Sequence, residues 1–325
     1  MLIVNGRDTA TLEAQSGYRS LATARIGVIA KAVVTGGLLW LVGSRLWAAN
    51  GMDGLKDVSP GWLLLGLAVL TLQGLISAKR WQWVIRALTA ENLKPSRLFA
   101  WIGVATLMGQ VLPGTAGGDI FRVGALARSV DVASAVRTVI ADRAIGFSSL
   151  CLVAAISGAL LAWWKAEVMF LLPFAIGTLG TIAIVGLVGL ARARSRFPRI
   201  LLPLHALSGD LYRVSHGSVR TRVLVASASI HLVSIPAILA IGMSFGMPIE
   251  RAPGVALLAP CVLLVSAVPV SLGGWGVRES AMVVGFGILG DDVTNGLVVS
   301  IVFGIGQTLV GALGGLAWLT LRAKG

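Results

Sequence analysis

Charge is the first thing this sequence has little of. Only 13% of its 325 residues are Asp, Glu, Lys or Arg, about half of the ~25% usual in soluble domains. That excludes a large soluble core. Cysteine is almost missing. Cys151 and Cys261 stand far apart in apolar stretches with no CxxC or Cys/His spacing, which argues against a disulfide framework or a zinc site; each reads as a small buried hydrophobe. Histidine is limited to His205, His216 and His231, again without ligand spacing, so no metal site is expected. No Walker sequence, G-x-S-x-G or H-E-x-x-H occurs. Transport driven by the chain's own ATP hydrolysis is therefore not expected, no cofactor is implied, and no catalytic residue is named. Residues 1–25 lack an apolar h-region, which speaks against a cleaved signal peptide.

What the chain has in quantity is apolar surface and glycine. Hydrophobic residues make up 56%, mean hydropathy is +0.87, and 41 residues are Gly. Small residues let helix backbones approach closely in lipid. Six apolar stretches reach the roughly 20 residues needed to cross a bilayer: about 27–48, 61–78, 144–164, 168–191, 223–245 and 295–321. Two more, Leu98–Leu112 and Gly254–Val268, are shorter and run into Pro/Gly-rich breaks, Pro113-Gly-Thr-Ala-Gly-Gly118 and Pro269-Val-Ser-Leu-Gly-Gly274. Each break is followed by another short segment, near 119–128 and 279–290. A helix of about 15 residues rises only ~22 Å, less than the ~30 Å hydrocarbon core, so these runs can dip into a membrane and return.

The net charge of +13 raises the question of nucleic acid. The cations, however, sit in short segments between apolar runs, as the positive-inside rule describes, and no nucleic-acid partner is expected. If both broken segments return to their own side, most Lys and Arg fall on the cytoplasmic flanks, including the seven-arginine segment 192–222. If they crossed, that segment would face outward. The expected architecture is all-α and polytopic: six transmembrane helices plus two re-entrant helical hairpins, 98–128 and 254–290, with both termini cytoplasmic in a bacterial inner membrane. A cytoplasmic segment, 1–25, would precede a first repeat, 26–164, and a second, 165–325. In the basic segment, Ile200, Leu201, Leu204, Leu207 and Leu211 share a helical face, suiting either a helix on the anionic leaflet or one packed under the bundle.

The two breaks share a spacing. Pro113, Gly117, Gly118, Arg122 and Ala125 recur 156 residues later as Pro269, Gly273, Gly274, Arg278 and Ala281. Each half has three spans and one hairpin, and an odd number of spans inverts the second half in the membrane. Inverted repeats with discontinuous helices mark many transporters, with the substrate site at the breaks. Pro113 and Pro269 would end the entering helices by removing a backbone donor. The Gly pairs would allow the reversal and leave N–H groups at new helix starts, a ready anion site. Arg122 and Arg278 stand near those starts and could grip a phosphate. Asp119 and Arg122, three apart, could pair. Glu279 must point away from Arg278 and could cap its helix. Asp142-Arg143 is a further charged pair, at the mouth of the span 144–164. Arg80, Trp81 and Trp83 look like an interface anchor, with Trp163 and Trp164 opposite. His231 reads as a hydrogen-bonded packing residue, and Gly311-x-x-x-Gly315 as a weak helix-packing motif.

At these residues the sequence resembles the lysylphosphatidylglycerol synthase transmembrane-region family, also called flippase-like domain proteins. The matching stretches are VLPGTAGGDIFRVGAL (111–126), VIADRAIGF (139–147) and PVSLGGWGVRESAMVVGF (269–286), with weaker support from SAKRW (77–81). The resemblance implies a membrane domain that moves or positions polar lipids: anionic phospholipid, aminoacyl- or isoprenoid-type lipid. It points to Gly117, Gly118, Asp119, Arg122, Asp142, Arg143, Arg278 and Glu279 as site residues; the repeat adds Gly273 and Gly274. Family members often carry Asn near the first loop, where this chain has Gln110. A soluble aminoacyl-transferase domain is not found in these residues, so lysyl transfer from tRNA is not expected. The leading expectation is a lipid flippase or lipid-binding transporter. A small-solute channel of aquaporin-like layout and a membrane-embedded transferase with Asp119 or Glu279 as base are the alternatives. Whether the chain forms a homo-oligomer stays open.

Overall fold

The computed structural model describes residues 36, 37, 40, 44, 58–111, 116–191, 202–268 and 270–322, and among them all regular structure is helical. In chain order the helices are α1 (Pro60–Thr89), α2 (Pro95–Val111), α3 (Ala116–Leu126), α4 (Val132–Lys165), α5 (Leu171–Leu190), α6 (Leu202–His216), α7 (Arg220–Ser244), α8 (Ala252–Ser266), α9 (Val277–Leu289) and α10 (Val293–Arg322). Short 3-10 turns, Val168–Phe170 and Ile249–Arg251, lead into α5 and α8.

Six of these are long and apolar enough to cross a membrane: α1, α4, α7, α10, and α5 and α8 with their leading turns. Five coincide with expected spans. The expected span 27–48 lies outside the described residues except at four positions, as do Pro113 and Pro269. The sixth, α8, is the limb that the sequence places as the entering half of the second hairpin. Helices α1 and α4 run well past the hydropathy limits of 61–78 and 144–164. Apolar windows stop at Lys79-Arg80 and Arg143, but the backbone ladder continues while side chains find partners. Pro60 opens α1, where a missing N–H costs nothing. Asp131 caps α4 by accepting from the Ser134 N–H at 2.9 Å, and hydrogen bonding with the Ser134 side chain, then with its backbone, holds the carboxyl below the usual range.

The outer face carries what a bilayer would cover. On α5, Leu172, Leu179, Ile182 and Val185 are each at least 60% exposed, a continuous apolar stripe that water would not tolerate on a monomer.

Each short pair folds back on itself. In the first hairpin, Gly118 of α3 lies so close to α2 that an added Cβ would stand 2.3 Å from the Ala105 carbonyl oxygen. Its open end, with Leu98 and Leu126, shares a core with Trp81 and Ile85 of α1. In the second hairpin, Gly254 meets Leu289 and Gly285 meets Leu258. Its open end is closed by Arg251 Nε and Asp291 Oδ1 at 2.8 Å; burial raises the Asp291 carboxyl pKa, opposed by Arg251. Its core contains Leu70, from the other half of α1, with Ile238 and Ile241 of α7. Helices α1 and α7 are antiparallel neighbours, joined where the Ser59 N–H donates to the Ser244 carbonyl at 2.9 Å. The hairpins thus stand with their open ends toward opposite ends of α1. Their other ends meet between: Trp275 Nε1, just before α9, donates to Gln110 Oε1, near the end of α2, at 2.7 Å.

Glycine also sets close crossings between longer elements. Gly103 of α2 faces Gly311 and Gly314 of α10, and a Cβ on it would sit 2.5 Å from the Gly314 Cα. The weak motif is thus a packing face, but its second member is Gly314 rather than Gly315. Helix α6 packs under the bundle, burying Ser208, Asp210, Leu211 and Val214, with Arg137 Nε donating to Asp210 at 2.7 Å. Leu202 and Leu204 stay exposed; Ile200 and Leu201 lie outside the described residues. Cys151 and Cys261 are both buried and free.

Candidate functional site

The first hairpin brings Arg122 against α1 near Arg80 and against the N-terminal half of α4 near Asp142. There it enters a buried charge cluster. Asp142 is 3% exposed and accepts from Arg80 Nε at 2.8 Å on one oxygen and from Arg122 Nη2 at 2.6 Å on the other. Two guanidinium groups from different helices therefore share one carboxylate. Trp81 lies beneath Arg122, whose guanidinium carbon is 4.1 Å from the ring centroid, a further source of cation stabilisation. Gly146 makes room for Arg80: a Cβ there would be 2.7 Å from its Nη1. The Gly146 carbonyl in turn meets His231 Nε2 at 3.0 Å, so His231 is the hydrogen-bonded packing residue expected.

Asp119 and Arg143 complete the cluster, with Arg143 Nε and Asp119 Oδ2 2.6 Å apart. The expected Asp119–Arg122 pair is only a 3.7 Å contact. Arg122 keeps Asp119 as this longer ion pair and places its short hydrogen bond on one oxygen of the more deeply buried Asp142. Among the described residues, three guanidinium groups against two carboxylates leave one positive charge in excess. Arg122 Nε, Asp119 Oδ1 and Ser271 Oγ are buried without a hydrogen-bond partner among the described residues, a costly state that a bound polar group would relieve.

Two cavities meet at this cluster. One, of about 300 Å³, carries charged and polar side chains among apolar ones and is lined from both hairpins: Gln110 and Arg122 on one side, Ser266, Ser271, Gly273 and Gly274 on the other. The second, of about 870 Å³, is an apolar groove along Ile120, Val136, Ile140, Phe147 and Leu150. Arg80, Arg122, Asp142 and Arg143 border both. The arrangement can take a molecule with a polar end and a greasy body.

The equivalent residues of the second hairpin do something else. Arg278 and Glu279 are 3% and 0% exposed and border neither cavity. Contrary to expectation they pair with each other, Arg278 Nη2 donating to Glu279 Oε1 at 2.8 Å, because the Arg278 side chain curls back over its own helix start. Ser300 of α10 joins them, accepting from Arg278 Nε at 3.1 Å and donating to Glu279 at 2.9 Å. Glu279 does cap α9 as expected, its other oxygen accepting the Gly276 N–H at 2.5 Å. Arg278 is therefore not the second phosphate grip that the repeat suggests.

The glycine pairs also differ in reason. Gly117 and Gly118 are buried at the start of α3, and Gly118 is required by the close approach of Ala105. Gly273 and Gly274 adopt φ of 56° and 81°, the left-handed region where side chains are strained. Arg80 and Trp81 are not an interface anchor: they are 8% and 0% exposed, and Arg80 is a full member of the site. Ser271 was not singled out by sequence at all, since nothing but its place between Pro269 and Gly273 marks it. Among the described residues no group of His, Cys, Asp and Glu could hold a metal ion.

The family profile described as the lysylphosphatidylglycerol synthase TM region matches residues 28–315. The chain belongs to that family. The match spans both hairpins and the whole charge cluster, and it places the chain among membrane proteins concerned with lipid handling. Comparison with curated proteins and with solved structures gave no match.

Proposed function

We propose that this member of the lysylphosphatidylglycerol synthase TM-region family is a flippase for a phosphate-bearing, anionic lipid, with the two hairpins acting as re-entrant wedges of inverted repeats in a bacterial cytoplasmic membrane. The observation that carries the reading is the junction of a polar and an apolar cavity at a buried cluster with one excess positive charge. A lipid phosphate neutralises that charge and gives Arg122 Nε and the Ser271 hydroxyl an acceptor. The acyl chain lies in the groove of Val136, Ile140 and Phe147. Asp142 holds Arg80 and Arg122 in place, so that neither reaches for the interface as a free arginine would. Supporting the membrane placement are the opposed open ends of the hairpins, their meeting inner ends, and the repeat order of long helix, short pair, long helix in both halves. The reading involves no chemistry on the lipid.

The test is lipid scrambling in vesicles holding the full chain and a phosphatidylglycerol labelled on its acyl chain. With the protein present, a membrane-impermeant quencher reaches inner-leaflet label as well as outer. Arg122→Gln slows this by at least about tenfold, the equivalent of ~1.4 kcal/mol in the transfer barrier. Inner-leaflet label that stays protected with folded wild-type protein overturns the reading.

A further inference from the structure

Outside the central cluster, the end of the bundle where the first hairpin opens carries a second pair of joined cavities. One, of about 600 Å³, lies between the start of α2, the segment after α3 and the end of α10. Three cations line it, Lys94, Arg97 and Arg128, and no carboxylate does. All three are exposed, and none is ion-paired with a described carboxylate. Two tryptophans form its inner wall: Trp101, 3% exposed and 4.8 Å from the Arg97 guanidinium carbon, and Trp318. The other cavity, of about 540 Å³, is a mainly apolar channel between α1, α2 and α10, with Lys79 as its one charged lining residue among the described residues. Ser96 and Leu321 line both, so the basic chamber opens directly into the channel.

We propose that this is a second lipid site, taking an anionic phospholipid of the adjoining leaflet, the cytoplasmic one in the orientation proposed above. The phosphate occupies the chamber among Lys94, Arg97 and Arg128. An acyl chain follows the channel past Phe99. Three like charges in one chamber repel each other and call for an anion. The apolar exit distinguishes a lipid from a soluble phosphate, which would leave that channel wet. Tryptophan at the boundary suits a headgroup level. The residues are disjoint from the Arg80–Arg122–Asp142 cluster, so the site rests on membrane placement and not on the flippase reading. It would hold a resident lipid, not a transported one, at the open end of the first hairpin.

Native mass spectrometry of the full chain in detergent, titrated with phosphatidylglycerol or phosphatidylcholine, tests this. Each cation near an anionic lipid contributes about a fivefold affinity change. The triple variant Lys94→Gln, Arg97→Gln, Arg128→Gln therefore loses one phosphatidylglycerol-binding event by about two orders of magnitude, while Arg122→Gln keeps it. The charge-preserving variant Lys94→Arg, Arg97→Lys, Arg128→Lys retains it, which separates loss of charge from misfolding. Equal retention of phosphatidylglycerol by wild type and the Gln variant overturns the proposal. So does equal uptake of phosphatidylcholine, and so does full displacement by soluble glycerol phosphate, which would mean that the acyl chain is irrelevant.

Discussion

Arg122 and Arg278 occupy the same place in an internal repeat and have opposite fates. Arg122 reaches across to Asp142 on another helix and borders a cavity. Arg278 is closed in by the residue next to it and by Ser300. The offset of 156 residues explains why. At that offset, Asp142 corresponds to Val298, Asp119 to Trp275 and Arg80 to Pro236, while Glu279 corresponds to Val123 and Ser300 to Ala144. The repeat keeps the residues that break and turn the chain and exchanges the partners of the arginine. The first copy became a charged basin open to ligand. The second became a neutral, dry lock whose Trp275 reaches over to hold Gln110.

Removing Asp142 is expected to have the largest effect on this contrast. Asp142→Asn leaves two buried guanidinium groups without their carboxylate. Loss of one partner of a buried ion pair typically costs about 3–5 kcal/mol, so thermal unfolding in detergent should move down by many degrees and lipid transfer should cease. A variant as stable as wild type would mean that the cluster is not buried as described.

Arg278→Met should rank second in stability, since it leaves Glu279 buried with only its cap and Ser300; about 3 kcal/mol is expected. The contrast sharpens in the transport assay. Per folded molecule, Arg278→Met should transfer lipid at close to the wild-type rate, whereas Arg122→Gln should not. Comparable loss of transfer in both would erase the distinction between basin and lock.

The smallest effect belongs to the contact between the two hairpins. Trp275→Phe removes the Nε1–H donated to Gln110 but keeps an aromatic ring beside Arg278. About 1 kcal/mol of stability is expected to go. If the hairpins part during transport, the variant should alter transfer more than so small a stability loss would suggest. An unchanged rate would make this bond ordinary packing.

Much of this was legible from residue order. The break positions, the Gly pairs and the cap at Glu279 are local: each depends on neighbours within a few residues. The long apolar helices followed from hydropathy, although the charged ends of α1 and α4 did not, because a window that stops at Arg80 or Arg143 cannot see the carboxylates that let those charges stay inside. The charged site was half legible. Asp119, Arg122, Asp142 and Arg143 were named from spacing and resemblance, but Arg80 looked like an anchor and Ser271 like nothing.

Composition and periodicity were enough for class, for five of the six long helices and for where the helices break, since those follow from the bilayer's thickness and from what Pro and Gly do to a backbone. Only the folded chain decided who pairs with whom. The partners of Asp142 are 62 and 20 residues away, and Gln110 and Trp275 are 165 apart. A guanidinium takes the best-placed and most deeply buried carboxylate that packing brings within about 3 Å, and that distance is set by helix crossings, not by position along the chain.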